Sequence, residues 1–125
     1  MGSYKHIETC IGEYIAKHYT DAIEVGIGKN TEAARILLNA GTRVRCTDVK
    51  DREVPEWLYF TSDDIFSPDI SLYKGADVIY AIRPAIEMIP PLLELAQTIN
   101  ATSATINSVK NKITITTTIP TIIPA

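Results

Sequence analysis

Glu24-Val25-Gly26-Ile27-Gly28-Lys29-Asn30 is the stretch on which the reading of this chain turns. The residues leading into it, Ala22-Ile23-Glu24-Val25, are short, apolar and partly β-branched, the pattern of a buried strand. The residues after it, from about Thr31 to Ala40, place Ala33, Ile36, Leu37 and Ala40 at helical spacing, and Gly41 supplies a stop. Strand, glycine turn and helix thus follow one another directly. Glycine lets the backbone approach a ligand with no Cβ in the way. The helix start behind it offers free N–H groups and a partial positive charge, which suit a carboxylate or a phosphate.

Upstream, Tyr4 to Tyr19 reads as an amphipathic helix with Ile7, Cys10, Ile11, Tyr14, Ile15 and His18 on one stripe. Lys5, Glu8, Glu13 and Lys17 fall elsewhere. Downstream, Thr42 to Thr47 is a strand ending on Asp48, and Trp57 to Thr61 a third strand closing on Asp63-Asp64. Ala76 to Ile82 is the strongest strand, ended by Arg83-Pro84. A third helix starts near Pro90 or Pro91, where proline suits the first turn, and runs to about Ile99. Strands alternating with helices predict one α/β domain over residues 1–125, with a small Rossmann-like three-layer fold and a mainly parallel sheet. Residues 1–20 form its N-terminal helix, 21–100 its cofactor-binding core and 101–125 a tail rich in threonine and isoleucine. With 125 residues and 46% hydrophobic content the chain can bury a core without staples.

The acids are placed for a nucleoside. Asp48, about twenty residues past the glycines, stands where a carboxylate can accept both ribose hydroxyls. Asp63 and Asp64 end the next strand at the same edge and are suited to an adenine amine. The dinucleotide fingerprint wants Gly or Ala at its sixth position, and Thr31 stands there, against an NAD(P)-binding domain. Glu24-x-Gly26-x-Gly28, Asp48, Asp64-Ile65 and Asp77 through Pro84 resemble, in that order, the motif series of S-adenosylmethionine-dependent methyltransferases. The resemblance implies S-adenosylmethionine as cofactor, with Glu24, Gly26, Gly28, Asn30, Asp48, Asp63 and Asp64 around it. The segments Glu24 to Thr31, Asp63-Asp64-Ile65-Phe66 and Leu72 to Pro84, above all Ile82-Arg83-Pro84, are similar to a small archaeal family, the uncharacterised protein family numbered 0146. That likeness runs from about Ile11 to Ala96 and implies a methyltransferase-like fold with no established activity.

Other features are plain. Base-methylating enzymes carry Asn or Asp before Pro-Pro after the fourth strand; Ile82-Arg83-Pro84-Ala85 stands here, and no catalytic residue is indicated. Arg83, fixed against Pro84, is suited to grip a substrate phosphate or carboxylate. The expectation is either a minimal methyltransferase, its acceptor unnamed, or a non-catalytic binding module completed by a partner protein or a second copy. A net charge of -3 gives no field that would draw nucleic acid. No run spans a bilayer and no signal-peptide core is present, so the expectation is a cytoplasmic chain with no membrane partner. Cys10 and Cys46 read as two buried thiols, and no metal site is indicated. His6 and His18 have no partners in sequence, Tyr80 reads as core and Trp57 as packing. The tail's abrupt composition reads as an altered C-terminus, with a hairpin about Asn111 and loosely held residues from Thr114 onward.

Overall fold

The computed structural model describes residues 4–107 and 112–117. Three helices and six strands follow in the order α1 (Tyr4–His18), β1 (Asp21–Val25), α2 (Glu32–Asn39), β2 (Arg43–Asp48), β3 (Tyr59–Ser62), β4 (Val78–Ile82), α3 (Ile89–Ile99), β5 (Thr102–Ile106) and β6 (Ile113–Thr116). The sheet order is β3-β2-β1-β4-β5-β6. The first five strands pair in parallel and β6 pairs antiparallel with β5. After β1 the chain moves out through β2 and β3, then returns to place β4 on β1's other side. The order therefore reverses between β1 and β4, and a crevice opens beyond their carboxyl ends.

The pleat explains the layers. Ala22, Val44, Cys46, Val78, Tyr80, Ala104 and Ile106 face one way and pack with Ile11, Ile15, Ala33 and Leu37 of α1 and α2. Ile23, Val25, Ile79 and Ala81, the alternate positions, face the other way and pack with Leu92, Leu95 and Ala96 of α3. Between β2 and β3, and between β3 and β4, the described residues hold no α-helix, only a 3-10 turn at Ile70–Leu72. At the far edge the Asp77 carboxylate accepts the Thr20 and Asp21 N–H groups, both at 3.0 Å, and ties the end of α1 to the start of β4.

Three sequence expectations change. The inward face of α1 is rotated from the predicted stripe: Glu8, Ile11, Gly12 and Ile15 are buried, while Cys10 and His18 are exposed. Glycine is the cause, because α1 crosses α2 there. A Cβ on Gly12 would stand 3.1 Å from Ile36 Cβ and 3.3 Å from the Ala33 carbonyl oxygen. Cys10 is thus an exposed thiol, and only Cys46 fits the buried reading. The tail, second, enters the sheet: β5 and β6 pair antiparallel, as the arms of the expected hairpin would, with Asn107 N–H donating to the Lys112 carbonyl at 2.9 Å, while the turn about Asn111, residues 108–111, lies outside the described residues. The apolar residues of β5, Ala104 and Ile106, are buried. Its threonines and serines stand at strand positions, where β-branching is favoured, so the composition reads as strand and not as loss of pattern. Residues Thr114 to Thr116 belong to this edge; residues 118–125 and the His6 side chain lie outside the described residues. Third, Trp57 sits in a turn and is 39% exposed. Tyr80 is core, as read.

The α1–α2 crossing yields a direct test. Gly12→Val would overfill it, and overpacking costs about 1–3 kcal/mol. At roughly 4 °C per kcal/mol, the thermal midpoint should fall visibly. An unchanged midpoint by differential scanning calorimetry would show that the two helices do not meet at Gly12.

Candidate functional site

The glycine turn is held by β2. Gly26 and Ile27 both donate their N–H groups to the Thr47 carbonyl, at 2.8 and 3.1 Å. Gly26 has φ +74° and Gly28 φ +60°, values that a side chain other than glycine adopts only under strain. A Cβ on Gly26 would meet only Met88 Cε at 3.6 Å, and one on Gly28 nothing within 4 Å. The turn thus presents bare backbone to the crevice. Asn30 starts α2: its Oδ1 accepts the Glu32 N–H at 3.0 Å.

Asp48 braces the turn from the end of β2. One carboxylate oxygen accepts the Gly28 N–H at 2.9 Å and Arg52 Nε at 3.2 Å; the other accepts the Lys50 N–H at 3.2 Å. Burial would push this carboxyl up, but those backbone donors and the Arg52 guanidinium overcome it and hold it below its ordinary value. A carboxylate offers about four lone-pair sites, so a ribose could take the free one and the one Arg52 occupies. Asp63 accepts the Tyr73 hydroxyl and, at 3.1 Å, the Asp69 N–H. The exposed Asp64 carboxylate accepts the Phe66 N–H at 3.0 Å.

These groups bound a hollow of about 320 Å³, with Gly26, Asp48, Asp63 and Asp64 on its polar side and Ile65, Phe66 and Met88 among its apolar walls. Phe66 is 61% exposed at its rim. A second hollow of about 270 Å³ lies on the other side of Gly26, between Glu8, Glu24, Lys29 and Arg83. Gly26 is the wall they share. A larger cavity, about 450 Å³, lies along the β2–β3 face by Arg45, Tyr59 and Thr61. It is away from the carboxyl edge, and its central cation is already engaged: Arg45 donates to the Leu72 carbonyl at 2.8 Å and to Asp21 at 3.1 Å.

Glu24 is placed differently from the other acids. It is 2% exposed and opposite Tyr80 in the β1–β4 register, and its Oε1 accepts the Tyr80 hydroxyl at 2.8 Å. Burial pushes its carboxyl well above the ordinary range; the Tyr80 bond opposes this and Glu8 adds to it. It forms floor rather than rim. Arg83, at the end of β4, has φ +51° and forms an ion pair with Glu8 at 3.6 Å.

The crevice therefore gathers Gly26, Gly28, Asp48, Asp63 and Asp64 and keeps Glu24 beneath it, while Asn30 lines the second hollow. Sequence reasoning missed Glu8, Arg52, Phe66 and Met88. Glu8 precedes the glycines by a whole helix, and Met88 belongs to a short 3-10 turn at Ile86–Met88 that carries no periodic signal. Phe66 was legible in principle, as an exposed aromatic directly after the acids that end β3.

A family model described as an uncharacterised protein family, UPF0146, matches residues 8–120. An Archaeoglobus fulgidus UPF0146 protein is 38% identical over 92 residues, covering 73% of this chain and 71% of the relative. A Pyrococcus abyssi member is 40% identical over 95 residues, covering 71% and 72%. Among solved structures, a Methanococcus maripaludis protein assigned as an S-adenosyl-L-methionine-dependent methyltransferase superposes with a TM-score of 0.53 at 14% identity. The match covers 82% of this chain but 56% of that one, and establishes a shared methyltransferase-like fold. No helix among the described residues is long and apolar enough to cross a membrane.

Proposed function

The chain belongs to the uncharacterised protein family UPF0146, and from the geometry of its glycine crevice we propose that it binds S-adenosylmethionine or its demethylated product, S-adenosylhomocysteine. The observation that carries this reading is Gly26 at φ +74°, a bare backbone saddle between two hollows at the sheet's reversal point. The larger of the two takes the adenosine. Ile65, Met88 and Phe66 provide apolar surface for a purine, and Asp64 and Asp63 accept from its exocyclic amine. Asp48 takes the ribose hydroxyls as Arg52 yields its place. The methyltransferase-like neighbour supports the same cofactor class.

Methyl transfer to a strong nucleophile needs little acid-base help, since alignment supplies most of the rate. The residues after β4 nevertheless favour a binding role. Ile82, Arg83 and Pro84 put a guanidinium and a ring where an amide or acid would activate an amine acceptor. We therefore read the chain as a cofactor-binding module, with a minimal methyltransferase as the second reading.

Thermal-shift measurements with S-adenosylmethionine, S-adenosylhomocysteine, NAD and ATP side by side test it. The two sulfur nucleosides should raise the midpoint, since ligand that binds only the native state stabilises it by mass action, about 2.7 kcal/mol at a hundredfold excess over Kd. A shift with NAD alone would replace the proposal with a dinucleotide site.

A further inference from the structure

Glu8 stands on the inward face of α1, one turn before the Gly12 crossing, and its side chain is 4% exposed. Its Oε1 faces Arg83 at 3.6 Å. Its Oε2 is buried and has no hydrogen-bond partner among the described residues. Buried carboxylate oxygens are almost always partnered, because a lost bond to such a group is costly. Glu8 lines the 270 Å³ hollow beside the glycine turn. The ionisable groups around it come from every neighbouring element: Arg83 after β4, Glu32 on α2, Glu24 and Tyr80 in the strands beneath, and Lys29 in the turn. Glu32 is already paired with Arg35. Arg83 is held at φ +51° with its N–H donating to the Ile106 carbonyl at 3.0 Å. Positive φ outside glycine persists where the surroundings impose it, ligand clamps among them.

We propose that Glu8 is a ligand-binding residue that holds the ammonium group at the amino-acid end of the cofactor, in the hollow on the α1 side of Gly26. The inference rests on the reading of the crevice as a site for S-adenosylmethionine or its product. With the nucleoside in the hollow bounded by Asp48 and Asp64, the chain of the ligand crosses Gly26 and its amino-acid end enters the second hollow. An ammonium carries three donors and no acceptor. It supplies the donor that Oε2 lacks. Arg83 and the turn's backbone face the ligand carboxylate.

A pH dependence follows. Burial raises Glu8, Arg83 opposes this, Glu32 adds to it, and the carboxyl lies at about 7 in the free protein. An ammonium favours the ionised carboxylate. Affinity for an amine-bearing ligand should therefore increase as pH rises through this value.

Calorimetric titration with S-adenosylhomocysteine and with methylthioadenosine, which keeps the thionucleoside but lacks the amino-acid end, tests this. Glu8→Gln should weaken S-adenosylhomocysteine about tenfold, the scale of one bond to a charged group, and leave methylthioadenosine unaffected. In the unaltered chain, affinity for S-adenosylhomocysteine should climb several-fold from about pH 6 to about pH 8 and that for methylthioadenosine should not. This pH comparison decides the matter even if Glu8→Gln does not fold. Equal weakening of both ligands, or of neither, overturns the role of Glu8 while leaving the nucleoside site standing. Binding of neither ligand to the unaltered chain overturns the cofactor reading itself.

Discussion

Asp48→Ala should weaken S-adenosylhomocysteine binding more than tenfold and also lower the protein's thermal midpoint. The two effects share one cause. The carboxylate accepts Gly28, Lys50 and Arg52 donors at once, so it shapes the turn before any ligand arrives. Losing a bond to a charged group costs about 1.5–3 kcal/mol, which is more than tenfold in affinity where the ribose is concerned. The turn's own loss is smaller, because Lys50 and Arg52 lie where water can replace the carboxylate. Asp48 is held below its ordinary value of 3.8, so its contribution to stability is present above that pH. It is lost as the solution is acidified through the lower folded value. The midpoint difference between Asp48→Ala and the parent should accordingly vanish at strongly acid pH. A variant that binds and melts like the parent at neutral pH would show that the ribose lies elsewhere and that the turn does not lean on Asp48.

Glu24→Gln should have the opposite sign. The carboxyl is buried against Tyr80, and burial raises its folded value well above 4.5. Stability from a group of that kind is fully present below 4.5 and is lost as pH rises toward the folded value. The amide keeps an oxygen for the Tyr80 hydroxyl and has no proton to lose. Measured by thermal melts at several pH values, Glu24→Gln should match its parent in mild acid and exceed it increasingly toward alkaline pH. A pH-independent difference would mean that Glu24 is ionised in the folded protein and that the floor of the crevice carries a charge.

The sequence was most informative where a local pattern and a tertiary position coincide. Gly26 and Gly28 announced a turn because only glycine sits comfortably at their φ values, and Asp48 followed because a parallel second strand must end beside that turn. The β4 segment was legible because it is apolar at every position, the mark of a strand covered on both faces. Glu8 was not legible. A helical stripe drawn from hydrophobicity alone puts it outside, and only the close approach that Gly12 permits turns it inward. Asn30 has a second role that is local: an asparagine two residues before a helix can bond the helix's first N–H, as it does here with Glu32. In the tail, the alternation Ile113-Thr114-Ile115-Thr116 made a hairpin legible, but the threonine-rich composition hid its place in the main sheet, because β-branched polar residues score as neither core nor loop.

Calorimetric titration of the unaltered chain and of Gly26→Val with S-adenosylhomocysteine tests the cofactor's place at the glycine turn most directly, their folded state being checked by thermal melts. Gly26 is the common wall of both hollows, so a branched side chain there enters the ligand's path whichever end binds first. The expected result is a saturable one-site isotherm for the unaltered chain and no measurable heat of binding for a folded Gly26→Val. An unaltered chain that gives no heat, or a folded Gly26→Val that binds as tightly as its parent, would contradict the placement of the cofactor at this turn.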